Sequence, residues 1–202
     1  MASSPGRADQ RILIVEDHQL FAEAVDLALS VEGYDVRRHL DLGRFGDGVR
    51  LIEPMARSGA NVVVVTGSTD RARWGEAVRA GARKVQAKSQ PLRDILATVR
   101  RITAGLPVMD REEREELLGE WSRQRFESQG LRDRLDLLTT RESEVLGHLM
   151  KGRAVREIAG ISVVSEATVR TQVKSILAKL EVSSQLAAVG MAHEIGWRAP
   201  VA

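Results

Sequence analysis

Val62-Val63-Val64-Val65 is an unbroken run of β-branched residues. Such a run has no polar face to turn toward water, so it demands a strand covered on both sides, as in a parallel sheet between helical layers. Arg11-Ile-Leu-Ile-Val15 is a second short apolar strand, ending at Glu16-Asp17. Leu20, Phe21, Ala24, Val25, Ala28 and Leu29 then recur at three- and four-residue spacings and stop at Gly33, which predicts an amphipathic helix. Arg73 to Ala80 reads as another helix with Gly81 as its stop, and a weaker strand follows near Val85. Pro91 opens a helix through Ile95, Leu96, Val99 and Ile102. Strands and helices alternating at this length predict a doubly wound α/β structure.

At Arg111 the pattern changes to Arg-Glu-Glu-Arg-Glu-Glu116, followed by Leu117, Trp121, Gln124, Ser128, Leu131, Leu135 and Leu138. These positions step by four and three, the spacing of a coiled-coil seam, with Gln124, Ser128 and Gly130 as interruptions. A solvated linker helix and a dimerising one both fit. Beyond it the chain shows only helical patterns, punctuated by Gly152 and Gly160. A chain of 202 residues accommodates two small domains. The expected division is residues 1–107, a linker helix over 108–136, and an all-α segment over 137–202.

In that last segment Thr139 or Thr140 can cap a helix carrying Val145, Leu146, Leu149 and Met150. Val155 to Ala159 forms a second helix, and Ser165 caps a third. There Val169, Val173, Ile176, Leu177 and Leu180 make one apolar stripe. Arg170, Thr171, Lys174 and Ser175 are left on the opposite surface, with Ser165 and Thr168 at its start. A short helix fixed on one face, with cations and small polar groups on the other, is what a major-groove reader needs. Arg and Lys neutralise phosphates or donate to guanine, and Thr packs on a thymine methyl. Taken alone, Arg170 and Lys174 would equally suit a solvated helix face.

The residues together are more specific. Leu138-Thr-Thr-Arg-Glu-x-Glu-Val-Leu146, Arg156-Glu-Ile-Ala159 and Ser165-Glu-Ala-Thr-Val-Arg-Thr-Gln-Val-Lys-Ser-Ile-Leu-Ala-Lys-Leu-Glu-Val-Ser183 closely resemble the LuxR/NarL helix-turn-helix family. The resemblance implies that the helix from Ser165 to Leu180 enters the major groove of double-stranded DNA. It also implies a homodimer on two-fold related half-sites, with the helix from Gln185 to Ile195 at its seam.

Residues 11–107 resemble the receiver domain of two-component response regulators, a flavodoxin-like parallel sheet. Glu16 and Asp17 match the Mg2+-binding acids, Thr66 the switch hydroxyl and Lys88 the phosphate-pairing lysine; all sit at carboxyl ends of predicted strands, where open α/β sheets place their sites. Carboxylates suit Mg2+, and a hydroxyl with an ammonium suits a phosphoryl group supplied by a histidine kinase. The chain departs from the receiver pattern in two ways. Tyr34 to Gly43 leaves no room for the usual helix and strand before the phosphoacceptor, a loss of roughly 20 residues. Leu40-Asp41-Leu42-Gly43 nominates Asp41 as acceptor, but counting back from Asp47-Gly48 permits His39 there instead. Val85 stands where a receiver carries its switch aromatic.

The fold class expected is therefore a receiver-like α/β domain, short of one helix and one strand, plus an all-α helix-turn-helix domain on a linker helix. The expected function is DNA-binding transcriptional regulation without conventional Asp phosphorylation, with a conventional phosphorylation switch as the alternative. Asp41, Thr66 and Lys88 also resemble the haloacid-dehalogenase-type phosphatases, but Gly43 stands where those carry a second Asp, so the chain is read as no enzyme. A pheromone-sensing domain wants an aromatic-lined pocket, and aromatics are 3% of this chain. With 0 cysteines there is neither disulfide nor thiolate site, and no apolar run is long enough to span a bilayer. The histidines lack metal-ligand spacing. A net charge of +2 fits nucleic acid without demanding it, and the cytoplasm is the expected location.

Overall fold

The computed structural model describes residues 11–16, 18–39 and 48–199. It divides into two compact units, Met1–Ser122 and Arg123–Ala202.

The N-terminal unit runs β1 (Arg11–Val15), α1 (Gln19–Val31), β2 (Asp35–His39), α2 (Val49–Arg57), β3 (Val62–Thr66), α3 (Arg71–Ala80), β4 (Ala82–Ala87) and α4 (Leu92–Thr103). α1 stops where expected, with Gly33 at φ +90°. Asp70 caps α3 by accepting from the amides of Ala72 and Arg73, and Gly81 closes it at φ +116°. β1 pairs parallel with β2, and β3 parallel with β4, with a register shift between Val62 and Val63.

The strands form two two-stranded sheets rather than one. Each half has its own core. Val25, Leu29 and Tyr34 pack with Ile12, Ile14 and Val36 on the β1–β2 side, joined by Leu92, Leu96 and Val99 of α4. Ile52, Ala77, Val78, Ala82 and Val85 pack together on the β3–β4 side. The Val62–Val65 strand is consequently half-buried rather than covered as its composition demands. Receiver strands order themselves so that another strand lies between those matching β1 and β3, and the shortened connection after β2 leaves none among the described residues.

α5 (Arg111–Asp136) is one continuous helix. Leu117 belongs to the core of the N-terminal unit and Leu135 to that of the C-terminal unit, while residues 122–127 are exposed on every side. The C-terminal unit then runs α6 (Thr140–Met150), α7 (Val155–Ser162), α8 (Glu166–Leu180) and α9 (Gln185–Glu194) around a single core. No helix among the described residues is long and apolar enough to cross a membrane.

Candidate functional site

α8 is held by its apolar stripe. Val169, Val173, Ile176 and Leu180 are buried against α6, α7 and α9, as the spacing predicts. Ser165 caps the helix, accepting from the Thr168 amide at 3.1 Å, and the two hydroxyls lie 2.9 Å apart. Thr171 donates back to the carbonyl of Ala167 at 3.0 Å. Arg170, Thr171 and Lys174 are exposed, and Arg170 makes only a surface ion pair with Glu166 at 3.3 Å. Such a pair is readily exchanged for phosphate. Ser175 is turned inward and donates to Glu142, so it joins α8 to α6 rather than facing solvent.

Sequence reasoning missed the group that Ser175 belongs to. Thr139, not Thr140, caps α6, in a reciprocal box with Glu142: the Glu142 amide donates to the Thr139 hydroxyl at 3.3 Å and the Thr139 amide to the Glu142 carboxylate at 2.7 Å. The same carboxylate accepts from Lys179 at 2.6 Å. Burial pushes the Glu142 carboxyl up, but the hydrogen bonds from Lys179, Ser175 and Thr139 outweigh it and hold the pKa at about 2. α8 is thus set by a buried, charged lock at one flank and the apolar stripe beneath.

The turn into α8 carries strain. Val163 ends α7 in the left-handed region at φ 53°, ψ 47°, where a β-branched residue is disfavoured, and its side chain is 89% exposed. No packing compensates. Val163→Gly is expected to stabilise the C-terminal unit by about 0.5–1 kcal/mol, the relief of strain less the entropy of glycine. Urea unfolding is the check; a loss of stability would show that the valine contributes packing.

In the N-terminal unit Glu16, Thr66 and Lys88 come together at the carboxyl ends of β1, β3 and β4. Glu16 is buried, and its Oε1 accepts from the Lys88 ammonium at 2.7 Å and from the His18 amide at 2.9 Å. Lys88 Nζ also lies 3.3 Å from His18 Nδ1 and 5.4 Å from the centre of the Phe21 ring. The Thr66 hydroxyl accepts from the Ser68 amide at 3.0 Å. Val85 is buried in the β3–β4 core. Asp17 and the acceptor candidate Asp41 lie outside the described residues, as does the His39 side chain. A Mg2+ site needs several oxygen ligands. Among the described residues no group of three or more acids or histidines could hold a metal, and Glu16, the one acid of the set described, is engaged by Lys88. The described residues do not by themselves fit the ion.

Residues 136–192 match the family model described as bacterial regulatory proteins, luxR family. Among curated proteins, the transcriptional regulatory protein LnrK of Bacillus subtilis is 30% identical over 169 residues, covering 81% of this chain and 75% of that one. The nitrate/nitrite response regulator protein NarP of Escherichia coli is 29% identical over 170 residues, covering 83% of this chain and 76% of that one. Among solved structures, the RcsB response regulator of Salmonella typhimurium is similar at a TM-score of 0.48 and 19% identity, over 92% of this chain and 100% of that one. The helix-turn-helix motif, the strand-end trio Glu16, Thr66 and Lys88, and a relative at 30% identity along most of both chains converge: the chain belongs to the LuxR/NarL-type response regulators.

Proposed function

We propose that the protein is a sequence-specific DNA-binding transcriptional regulator, working in the cytoplasm as a homodimer, whose DNA affinity does not depend on phosphorylation of an aspartate. The carrying observation is the two-sided α8: a stripe with Val169, Val173, Ile176 and Leu180 buried and Leu177 half-buried, under an exposed face with Arg170, Thr171 and Lys174. A face so segregated can enter a groove without unfolding anything. Both candidate dimer seams carry an exposed apolar residue, Phe126 on the linker helix and Leu186 on α9, each 82% exposed, while Leu117 and Leu135 of the linker are committed to the cores of their own units. α9 lies in the same unit as α8 and is the seam in keeping with paired half-sites.

Binding to an operator selected from random duplexes tests this reading. Lys174→Ala is expected to weaken binding about tenfold and to lower the salt slope by about 1, as for one phosphate contact. Arg170→Ala is expected to weaken binding comparably, with two chains per operator throughout. Unchanged affinity in both variants would refute the assignment.

Independence from phosphorylation is supported by the Lys88–Glu16 tie and by the helix and strand of the receiver pattern that are absent among the described residues. In-line transfer needs the acceptor carboxylate, Mg2+ and lysine held together, and an error of about 1 Å can cost on the order of 100-fold in rate. Incubation with Mg2+ and acetyl phosphate is expected to leave operator affinity within about twofold of its starting value. Stoichiometric phosphorylation abolished by Asp41→Asn, together with a tenfold gain in affinity, would instead establish the conventional switch.

A further inference from the structure

In a doubly wound sheet the central strands are paired on both sides and covered on both faces. Here, among the described residues, β1 pairs only with β2 and β3 only with β4, and β3 is half-buried along its length. Their other edges look onto common space. Leu13 of β1 and Val63 and Val65 of β3, with Glu16, Met55 and Asn61, line both of two cavities. One, about 580 Å3, lies toward α1 and α4 and is walled by Val25, Leu29, Ile95 and Val99. The other, about 420 Å3, lies toward α2 and α3 and is walled by Ile52, Trp74 and Ala77. Three independent observations mark the same slot: the sheet is split along it, the hydrophobic core is split along it, and Leu13 in mid-strand is 53% exposed beside it.

We infer that this slot is a binding site for a small, uncharged, mainly aliphatic molecule, seated between the half-sheets where a strand's side chains would otherwise fill the core. Both volumes fall within the roughly 300–1,000 Å3 of small-molecule sites, and such sites are apolar with a few polar groups that orient the ligand. The wider cavity meets that description: its walls are mainly aliphatic, and among the described residues its polar lining is Glu16, Asn61 and Thr103 with the exposed Arg11 at one end of β1. A charged ligand fits poorly: it would lose its hydration among Leu, Ile and Val, and the carboxylate of Glu16 is already tied to Lys88. A peptide strand fits less well than a small molecule, because with helices on both faces the halves must part to admit a strand, whereas a small molecule needs only a mouth. The inference concerns the N-terminal unit and does not rest on the DNA-binding reading.

The test uses the full chain and N-phenyl-1-naphthylamine, a neutral apolar fluorophore that brightens on leaving water, with 1-decanol as a dark competitor. One saturable equivalent is expected, with a Kd in the range of tens of micromolar or tighter, displaced by 1-decanol and accompanied by a thermal midpoint rise of about several degrees. Leu13→Trp and Val63→Phe fill the slot from its two walls, and each is expected to weaken binding about tenfold or more. Should either lose its near-ultraviolet dichroism, Val65→Leu replaces it, with a loss of about threefold expected. Val31→Ser, which alters an exposed apolar residue of α1 outside the slot, is expected to bind as the parent does. Absence of saturable binding up to about 100 µM, or binding indifferent to every filling variant, would overturn the inference. So would a dimer that the filling variants convert to monomer, which would assign the slot to a second copy. Displacement of the probe by an apolar pentapeptide far more effectively than by 1-decanol would likewise overturn it, in favour of a strand.

Discussion

Lys179→Met is expected to destabilise the C-terminal unit by about 3 kcal/mol, the lower end of what removing one partner of a buried ion pair costs. Lys179 Nζ donates to Glu142 at 2.6 Å and to the carbonyl of Leu137 at 3.1 Å. The Glu142 side chain is 9% exposed, so without the ammonium its charge would stay buried with only the Ser175 hydroxyl and the Thr139 amide to solvate it. Glu142→Gln is expected to cost less, about 1–2 kcal/mol, because the amide keeps some hydrogen bonds and Lys179, one-third exposed, can rehydrate. The double variant should lose less than the sum, which is the signature of direct coupling. The pH dependence has a definite sign. Because folding lowers the Glu142 pKa from an ordinary carboxylate value to about 2, its contribution is complete above roughly pH 4.5 and is lost as pH falls toward 2. A shift of that size corresponds to about 3 kcal/mol. Urea unfolding followed by far-ultraviolet dichroism at several pH values measures both effects. A Lys179→Met loss below about 0.5 kcal/mol would show the pair to be solvated and inert.

This lock was not legible in the sequence, and the reason is physical. A cap at Thr139 or Thr140 and the stripe from Val169 to Leu180 are local patterns, readable from three- and four-residue spacings alone, and the structure selects Thr139. The approach of Lys179 to Glu142 joins positions 37 apart in the chain, and Lys and Ser at 179 and 175 look like any solvated flank until α6 is laid beside them. α2 went unread for a different cause: Val49, Ile52 and Ala56 carry a helical spacing, but Pro54 falls within it and removes an amide from the helix. The run Val62–Val65 was correctly a strand, yet its burial depended on a second neighbouring strand that the described residues do not supply. Strand character is written in the residue, whereas burial is written in the partner. The strand-end placement of Glu16, Thr66 and Lys88 was legible because parallel topology dictates it. That Lys88 closes on Glu16 was not, since an acid in this family is read first as a metal ligand.

Gly75→Ala is expected to undo the docking of α5 on α3 within the N-terminal unit, at a cost of about 3 kcal/mol, the upper part of the overpacking range. A methyl at Gly75 would lie 2.0 Å from the carbonyl oxygen of Leu117 and 2.8 Å from the Trp121 Cβ, so the obstruction is backbone and cannot rotate aside. The helices meet this closely only because position 75 lacks a side chain. Around that contact the fit is anchored: Leu117 is buried beside Ala77 and Val78, Arg79 lies 4.9 Å from the centre of the Trp121 ring, Arg71 pairs with Glu116 and Glu120, and Lys84 with Glu113. The surface ion pairs contribute little singly, so the burial of Leu117 and the close backbone approach carry the docking. Displacing α5 should expose Leu117 and Trp121 while sparing the C-terminal core, which shares no buried residue with this contact. The expected signature is therefore local: red-shifted Trp emission and faster amide exchange in residues 111–121, with operator affinity of the helix-turn-helix unit retained. A variant with parental stability and unchanged Trp emission would show that α5 does not rest on α3 in solution.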